Sequence, residues 1–330
     1  MGRPGGHAAP AGTAPLHAPL ARRAAPAHAQ GHGYRKDPPM RLPYETCDVF
    51  TSQRFGGNPL AVVRDAAALD SAAMQAIARE FNLSETVFVE AADAATATAR
   101  IRIFTPAMEL PFAGHPNVGA AVLIARYLGI AGDRLELDQK AGRVSAILTR
   151  DETDHAVAAT ITAPQPFAAG AVLDAAGIAT CAGVPAIVGD AVIASCGTPF
   201  ALAEVADEAT LAAATPDTAA FRRHLPASSA VGLHLFCRQG GDGDELRLRT
   251  RMFAPLGGLV EDPATGSANV ALGGWLLDRA GTDRLSITVE QGIEMGRPSL
   301  LAVEAWREAG AIRVSVGGGV VSVTRGWLYL

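Results

Sequence analysis

Short apolar runs rich in Val, Ile, Phe and Thr recur early in the chain, at residues 45–50, 60–64, 86–90 and 99–104, and predict strands. Residues 70–81 change to helical spacing, with Ala73, Ile77 and Phe81 on one face and Asp70 or Ser71 placed to cap the start. Residues 116–128 are apolar almost all round, which predicts a helix buried on every side. Residues 263–280 repeat that pattern through Val270, Leu272, Trp275 and Leu276. Gly240-Gly-Asp-Gly243 reads as a hairpin turn between strands at 233–237 and 246–251. Gly317-Gly-Gly319 reads as another turn, just before the last strand.

The pattern also repeats over a long distance. Arg102-Ile-Phe-Thr-Pro106, a linker and His115-Pro-Asn-Val-Gly-Ala-Ala121 return as Arg251-Met-Phe-Ala-Pro255, a linker and Asp262-Pro-Ala-Thr-Gly-Ser-Ala268. Gly57-Asn-Pro-Leu-Ala61 has a weaker echo in Gly197-Thr-Pro-Phe-Ala201. A period of about 140 to 150 residues is too long for a solenoid and suggests two homologous domains. The implied architecture is a sheet wrapped around a central helix, once per half, with Pro164-Gln165-Pro166 as the boundary.

On this alignment both central helices begin with a polar residue and proline, His115-Pro116 and Asp262-Pro263. Asp262 is a preferred cap and could be no more than that, whereas histidine caps poorly and invites another explanation. Gly114, Gly266 and Ser267 would let a ligand approach backbone N–H groups closely. Two helix starts facing each other across an interdomain cleft would present free N–H groups and two positive dipole ends to one small carboxylate. The absence of a Gly-x-Gly-x-x-Gly or Walker sequence argues against a nucleotide phosphate. Glu85 begins the strand it shares with Val87 and Val89. If their common face is the core, its proton affinity rises, which suits a group that takes and returns a proton; the alternative is a solvated strand-end carboxylate.

Composition and charge narrow the partners. The chain has 330 residues, 49% apolar and 18% charged, with a net charge of −5. It therefore has no basic field for nucleic acid, and its longest apolar stretches fall far short of the roughly 20 residues of a membrane span. Residues 1–40 stand apart, with 10 Ala, 7 Pro, 6 Gly and five basic residues against Asp37. They are expected to be disordered, an Ala/Pro-rich extension ahead of a start at Met40, without the apolar run of a secretory signal. Cys47, Cys181, Cys196 and Cys237 are scattered and read as reduced, buried thiols of a cytoplasmic protein. His234 and Cys237 have no second ligand pair nearby, so a metal is not expected.

Five stretches then carry a family likeness: Asp48-Val-Phe50, Gly57-Asn-Pro-Leu-Ala-Val62, Asn82-Leu-Ser-Glu-Thr86, Ala113-Gly-His-Pro116 and Glu261-Asp-Pro-Ala-Thr-Gly-Ser-Ala268. With them the chain resembles the PhzF-type phenazine-biosynthesis family over about residues 44–330. The resemblance implies an α+β, diaminopimelate-epimerase-like fold of two pseudo-symmetric domains, each a barrel-like β-sheet around a central helix, with the active site in the cleft between them. The expected divisions are 1–40, 41–165 and 166–330. Carried over position by position, the family's acid/base glutamate falls on Glu85, its histidine on His115 and its aspartate on Asp262. Gly114, Gly266, Ser267 and Asn58 fall on substrate-binding positions.

The implied activity is a cofactor-independent isomerase that moves a proton between carbons of a small anionic carboxylate substrate, as PhzF-type enzymes do on trans-2,3-dihydro-3-hydroxyanthranilate. The resemblance leaves room for a homodimer. Asn117 stands where the family usually has Thr, and residues 254–260 resemble a broad, uncharacterised branch, so the substrate does not transfer. Alternatives are an idle small-anion-binding sensor or scaffold and an epimerase of the same fold. A two-thiol racemase is disfavoured because His115 and Asp262 occupy the facing positions. Serine hydrolysis at Ser267 lacks a nucleophile elbow and a triad.

Overall fold

The computed structural model describes residues 1–2 and 40–330. The expected disorder of the extension and the start at Met40 fall outside the described residues. From Met40 to Leu330 the chain forms one compact unit.

Eight strands close the first barrel. In ring order they are β1 (Arg41–Val49), β2 (Asn58–Val63), β3 (Glu85–Asp93), β4 (Thr98–Phe104), β6 (Arg134–Gln139), β7 (Gly142–Arg150), β8 (Ala156–Thr162) and part of the long β17 (Ala311–Tyr329), which returns to β1. The short β5 (Glu109–Leu110) lies on β4. The second barrel repeats this order with β9 (Ala168–Leu173), β10 (Val188–Ser195), β11 (Pro199–Glu204), β12 (Leu233–Asp242), β13 (Glu245–Ala254), β15 (Arg284–Gln291), β16 (Ser299–Glu308) and the start of β17. Here β14 (Leu259–Asp262) lies on β13 as β5 lies on β4. The parallel pairs fall at equivalent places, β2–β3 with β11–β12 and β4–β6 with β13–β15. The fold is therefore the one expected, with two barrel-like sheets of shared topology.

The linker after β8 bonds to β17 through Ala163 N–H to the Val314 carbonyl (2.8 Å) and Phe167 N–H to the Ile312 carbonyl (2.9 Å) before β9 joins the second barrel. In return, residues 320–329 of β17 pair with β1 in the first barrel. Each half thus lends its last strand to the other, so the stretch expected as the second half, 166–330, also completes the first barrel.

This exchange corrects the reading of Gly317-Gly-Gly319, which lies inside β17 and makes no turn. A Cβ on Gly317 would lie 2.2 Å from Thr160 Oγ1, one on Gly318 2.7 Å from Phe50 Cδ1, and one on Gly319 2.7 Å from the Thr51 carbonyl oxygen. The glycines are required by close approach where β17 crosses between barrels.

The helices follow their sequence patterns. α1 (Ser71–Phe81) is capped by Asp70, whose carboxylate accepts from Ala73 N–H, and it buries Met74, Ile77 and Ala78 against Phe88 and Phe104. The buried stripe is thus one residue over from Ala73, which is only partly covered. α2 (Gly114–Leu128) fills the first barrel and is buried continuously from Gly114 to Ala125. α3 (Ala175–Ala182), α4 (Glu208–Ala213) and α5 (Thr218–His224) cover the second barrel outside, and α6 (Gly266–Arg279) fills it. The hairpin between β12 and β13 forms, but its turn is Gly243-Asp244: Gly240, Gly241 and Asp242 lie inside β12, opposite Arg247, Leu246 and Glu245, because both strands run further than their apolar cores suggest. Among the described residues no helix is long and apolar enough to cross a membrane.

Candidate active site

The starts of the two central helices meet. A Cβ on Gly114 would stand 3.2 Å from Ser267 N and 3.3 Å from Gly266 Cα, so a side chain there would press on the backbone of the facing helix start. The N–H groups of a helix's first turn have no carbonyl partner within the helix. The junction therefore gathers two sets of such donors and two positive dipole ends, as expected from the sequence.

The register of the repeat differs from the sequence alignment. β4–β5 pairs Phe104 with Glu109, and β13–β14 pairs Phe253 with Glu261. Five residues after each glutamate stands the first helical residue, Gly114 or Gly266. The length difference lies upstream, in a 3-10 turn at Pro255–Gly257. His115 consequently corresponds to Ser267, and Asp262 to Leu110. Neither His115 nor Asp262 is a helix cap: the cap positions are Ala113 and Thr265, His115 is the second residue of α2, and Asp262 ends β14. The equivalence extends to side chains, since Arg102 grips Glu109 (2.9 and 3.0 Å) as Arg251 grips Glu261 (2.8 and 2.8 Å).

Glu85 is at the first residue of β3, beside Leu60 of β2. On the other barrel the matching place beside β11 belongs to Gly232, so the carboxylate has no counterpart. His115 hydrogen-bonds to the backbone of Pro59, whose only polar group there is a carbonyl, so the imidazole donates. Its Nε2 then stands 3.1 Å from Glu85 Oε2; the approach lacks hydrogen-bond alignment, and neither atom has another partner. Asp262 arrives from the second half. Its Oδ1 accepts from Asn58 Nδ2 (3.0 Å), its Oδ2 accepts from the Thr265 hydroxyl, and Asn58 Nδ2 also donates to the Ala264 carbonyl (2.8 Å). The structure thus brings Glu85, His115, Asp262, Asn58, Gly114, Gly266 and Ser267 to one junction.

Burial governs the protonation of this group. It raises Glu85 well above the usual carboxylate range, and the Asp262 charge adds to the effect. It pushes Asp262 up to about 6, against the opposing hydrogen bonds from Thr265 and Asn58. It pushes His115 down to about 3, so the imidazole is neutral at pH 7. At that pH Asp262 is mostly ionised and the imidazole is neutral, while burial and the Asp262 charge favour the neutral form of Glu85.

Several supporting residues were assigned no role from the sequence, although Asp48, Phe50 and Gly57 stand in the family stretches and Asn117 at a departure from them. Arg297 holds Asp48 (2.5 Å) and the carbonyls of Gly56 (2.7 Å) and Gly57 (2.8 Å), fixing the loop that delivers Asn58. Gly57 itself has φ +61°, and a Cβ there would strike the Val49 carbonyl oxygen at 2.3 Å. Phe50, at φ 65°, lies with its ring 3.3 Å from where a Gly266 Cβ would be. Asn117 and Gln139 form a reciprocal amide pair in the first half (2.8 and 3.2 Å), and Asn269 donates to Gln291 (2.9 Å) in the second. Registering the repeat on Gly114 and Gly266 would have revealed these pairs, because Asn follows by three residues and Gln by 25 in both halves. A groove of about 330 Å³ lined by Tyr44, Phe55, Phe81 and Arg297 reaches Pro59 and Leu83 but not Glu85, His115 or Asp262. The site is defined by convergence of groups and not by that groove.

Residues 47–326 match the model of the phenazine biosynthesis-like protein family, PhzC-PhzF. The chain belongs to this family. An uncharacterized isomerase from Mesorhizobium japonicum is 38% identical, covering 87% of this chain and 98% of its own. The trans-2,3-dihydro-3-hydroxyanthranilate isomerase of Pseudomonas chlororaphis is 36% identical, covering 87% and 99%. The crystal structure of the Bacillus anthracis phenazine biosynthesis protein of the PhzF family superposes with a TM-score of 0.75 at 23% identity, over 88% of this chain and 100% of that one. The last likeness is one of fold, and the sequence relatives establish the chain as an isomerase. The four cysteines are free and buried, and burial holds Cys181 and Cys237 at about 11 and Cys196 at about 12, so they supply no thiolate to this junction.

Proposed function

We propose that this member of the PhzC-PhzF family moves a proton between carbons of a small carboxylate substrate, with Glu85 as the acid/base. The observation that carries the reading is a carboxyl group without a hydrogen-bond partner at Oε2, beside a neutral imidazole and an ionised aspartate, where two helix starts converge. The substrate carboxylate takes the free N–H groups of Gly114, Gly266 and Ser267. Ionised Glu85 abstracts a proton from one carbon and becomes the neutral acid, the form its surroundings favour. That preference makes it a strong base when ionised and a stable carrier afterwards, until it returns the proton to another carbon. His115, held by Pro59, places an uncharged ring nitrogen 3.1 Å from Glu85 Oε2, so no cation stands there to favour the carboxylate. Asp262, held by Asn58 and Thr265, supplies the fixed negative charge that raises Glu85's proton affinity. The chemistry assigned to these residues needs no cofactor, and cytoplasmic placement of the protein belongs to the same proposal.

The test is exchange in D₂O, monitored by NMR, with trans-2,3-dihydro-3-hydroxyanthranilate and a panel of small unsaturated and hydroxylated carboxylates. Deuterium entering carbon, abolished by Glu85→Gln, is the expected result. Saturable binding without exchange for every member of the panel would favour the small-anion sensor instead.

A further inference from the structure

Gln291, at the end of β15, is the hub of a buried polar cluster beneath Asp262. Its Oε1 accepts from Thr265 N–H (3.1 Å) and Asn269 Nδ2 (2.9 Å). Its Nε2 donates to the Asp262 carbonyl (2.9 Å) and to Thr265 Oγ1 (3.1 Å). The amide cannot be reversed, because a backbone N–H can only donate and a backbone carbonyl can only accept. Asn269 is fixed in the same way by donating to the Thr265 carbonyl (3.0 Å), which leaves its Oδ1 to face His234 Nε2 (3.1 Å). The Thr265 hydroxyl has one proton, and its oxygen already receives one from Gln291. That proton therefore goes to Asp262 Oδ2.

On the other side, Asn58 is locked by the Ala264 carbonyl and directs its second donor to Asp262 Oδ1. Both oxygens of Asp262 thus meet donors that cannot turn round. Adding a proton to Asp262 would set an O–H against one of them. The first half provides an internal comparison: Asn117 and Gln139 occupy the equivalent places, but Ala113 replaces Thr265 and Leu110 replaces Asp262, so that cluster ends without a hydroxyl or a carboxylate.

We propose that Gln291 is a positioning residue for the proton shuttle: by fixing the Thr265 hydroxyl as a donor it holds Asp262 as the anion, and the site's proton stays on Glu85. The titratable groups facing Asp262 are Glu85 from β3, His115 from α2 and its neighbour Glu261, which is engaged by Arg251; His234 from β12 meets the far end of the cluster through Asn269. The role of this residue in turnover rests on the Glu85 shuttle, but its effect on protonation can be read without substrate.

The experiment follows the carboxyl ¹³C resonances of Asp262 and Glu85 in the full chain through a pH titration, assigned with Asp262→Asn and Glu85→Gln. In Gln291→Leu and in Thr265→Val the Asp262 titration is expected to move up by on the order of one pH unit and that of Glu85 to move down, because the neighbouring charge is lost at neutral pH. Thr265→Ser, which keeps the hydroxyl, should restore both. Gln139→Leu removes the matching amide from the first half and should lower thermal stability while leaving both titrations in place. If Gln291→Leu does not fold, Thr265→Val decides. Unmoved titrations in a folded Thr265→Val, or equal shifts in Thr265→Ser, would overturn the proposal. Shifted titrations together with an absence of Glu85-dependent exchange would sink the shuttle and leave the positioning role standing; exchange with unmoved titrations would do the reverse.

Discussion

An ionised Asp262 buried between the two halves should make the folded protein less stable as pH rises, and Asp262→Asn should remove that dependence. Its side chain is almost inaccessible and takes up a proton at about 6, against an ordinary 3.8. Because the folded value is the higher one, its contribution to stability is complete below about 3.8 and is lost as pH rises through about 6. A gap of about two pH units corresponds to roughly 3 kcal/mol. Other carboxylates act oppositely: Glu109, held low by Arg102, and Asp217, held low by the N–H groups of α5, lose stability on acidification. The difference between parent and variant isolates Asp262 from this background. Urea unfolding followed by far-UV circular dichroism from pH 4 to 8 should show Asp262→Asn gaining on the parent by about 3 kcal/mol across that range. This gain adds to a pH-independent loss from the bonds to Asn58 and Thr265. Glu85 reinforces the trend, since removing the Asp262 charge eases its ionisation. A pH-independent difference, flat within about 1 kcal/mol, would refute the claim that burial dominates at this carboxylate.

Glu85→Gln should retain substrate affinity, since binding rests on the helix starts, and lose deuterium exchange at carbon by about 10⁴-fold or more, read by NMR. The same variant should unfold at a higher temperature than the parent near pH 8, because a neutral amide replaces a carboxyl whose ionisation is disfavoured by burial. Gly114→Ala places a methyl 3.2 Å from Ser267 N, between the two helix starts, and should raise the KM of any probe that exchanges by about tenfold, with a smaller change in kcat. Asn117→Thr removes the bond to the Ala113 carbonyl and strands Gln139; calorimetry should show a loss of roughly 1 to 3 kcal/mol of stability, with exchange within a few-fold of the parent.

The sequence by itself determined the local elements, because burial patterns are written along the chain. The all-apolar stretch after His115 became α2, Asp70 capped α1, and the recurring Arg-x-Phe-x-Pro segments became equivalent strands in two barrels. It also placed a glycine at the first residue of each central helix, which lets the two helix starts lie backbone to backbone. What it left undetermined depended on contacts between distant strands. His115 and Asp262 share an X-Pro signature in sequence, yet strand pairing aligns His115 with Ser267, because the length difference lies in the turn before β14. The glycines at 317–319 look like a turn locally, and only the crossing of β17 between barrels shows that they make room for Phe50, Thr51 and Thr160. Gln291 carries no local signal of its own; its hold on Asp262 exists because β15 ends beneath the start of α6. A side chain's proton affinity and its partners are set by what the fold buries around it. Those neighbours here come from residues some two hundred positions apart, as with Asn58 and Asp262.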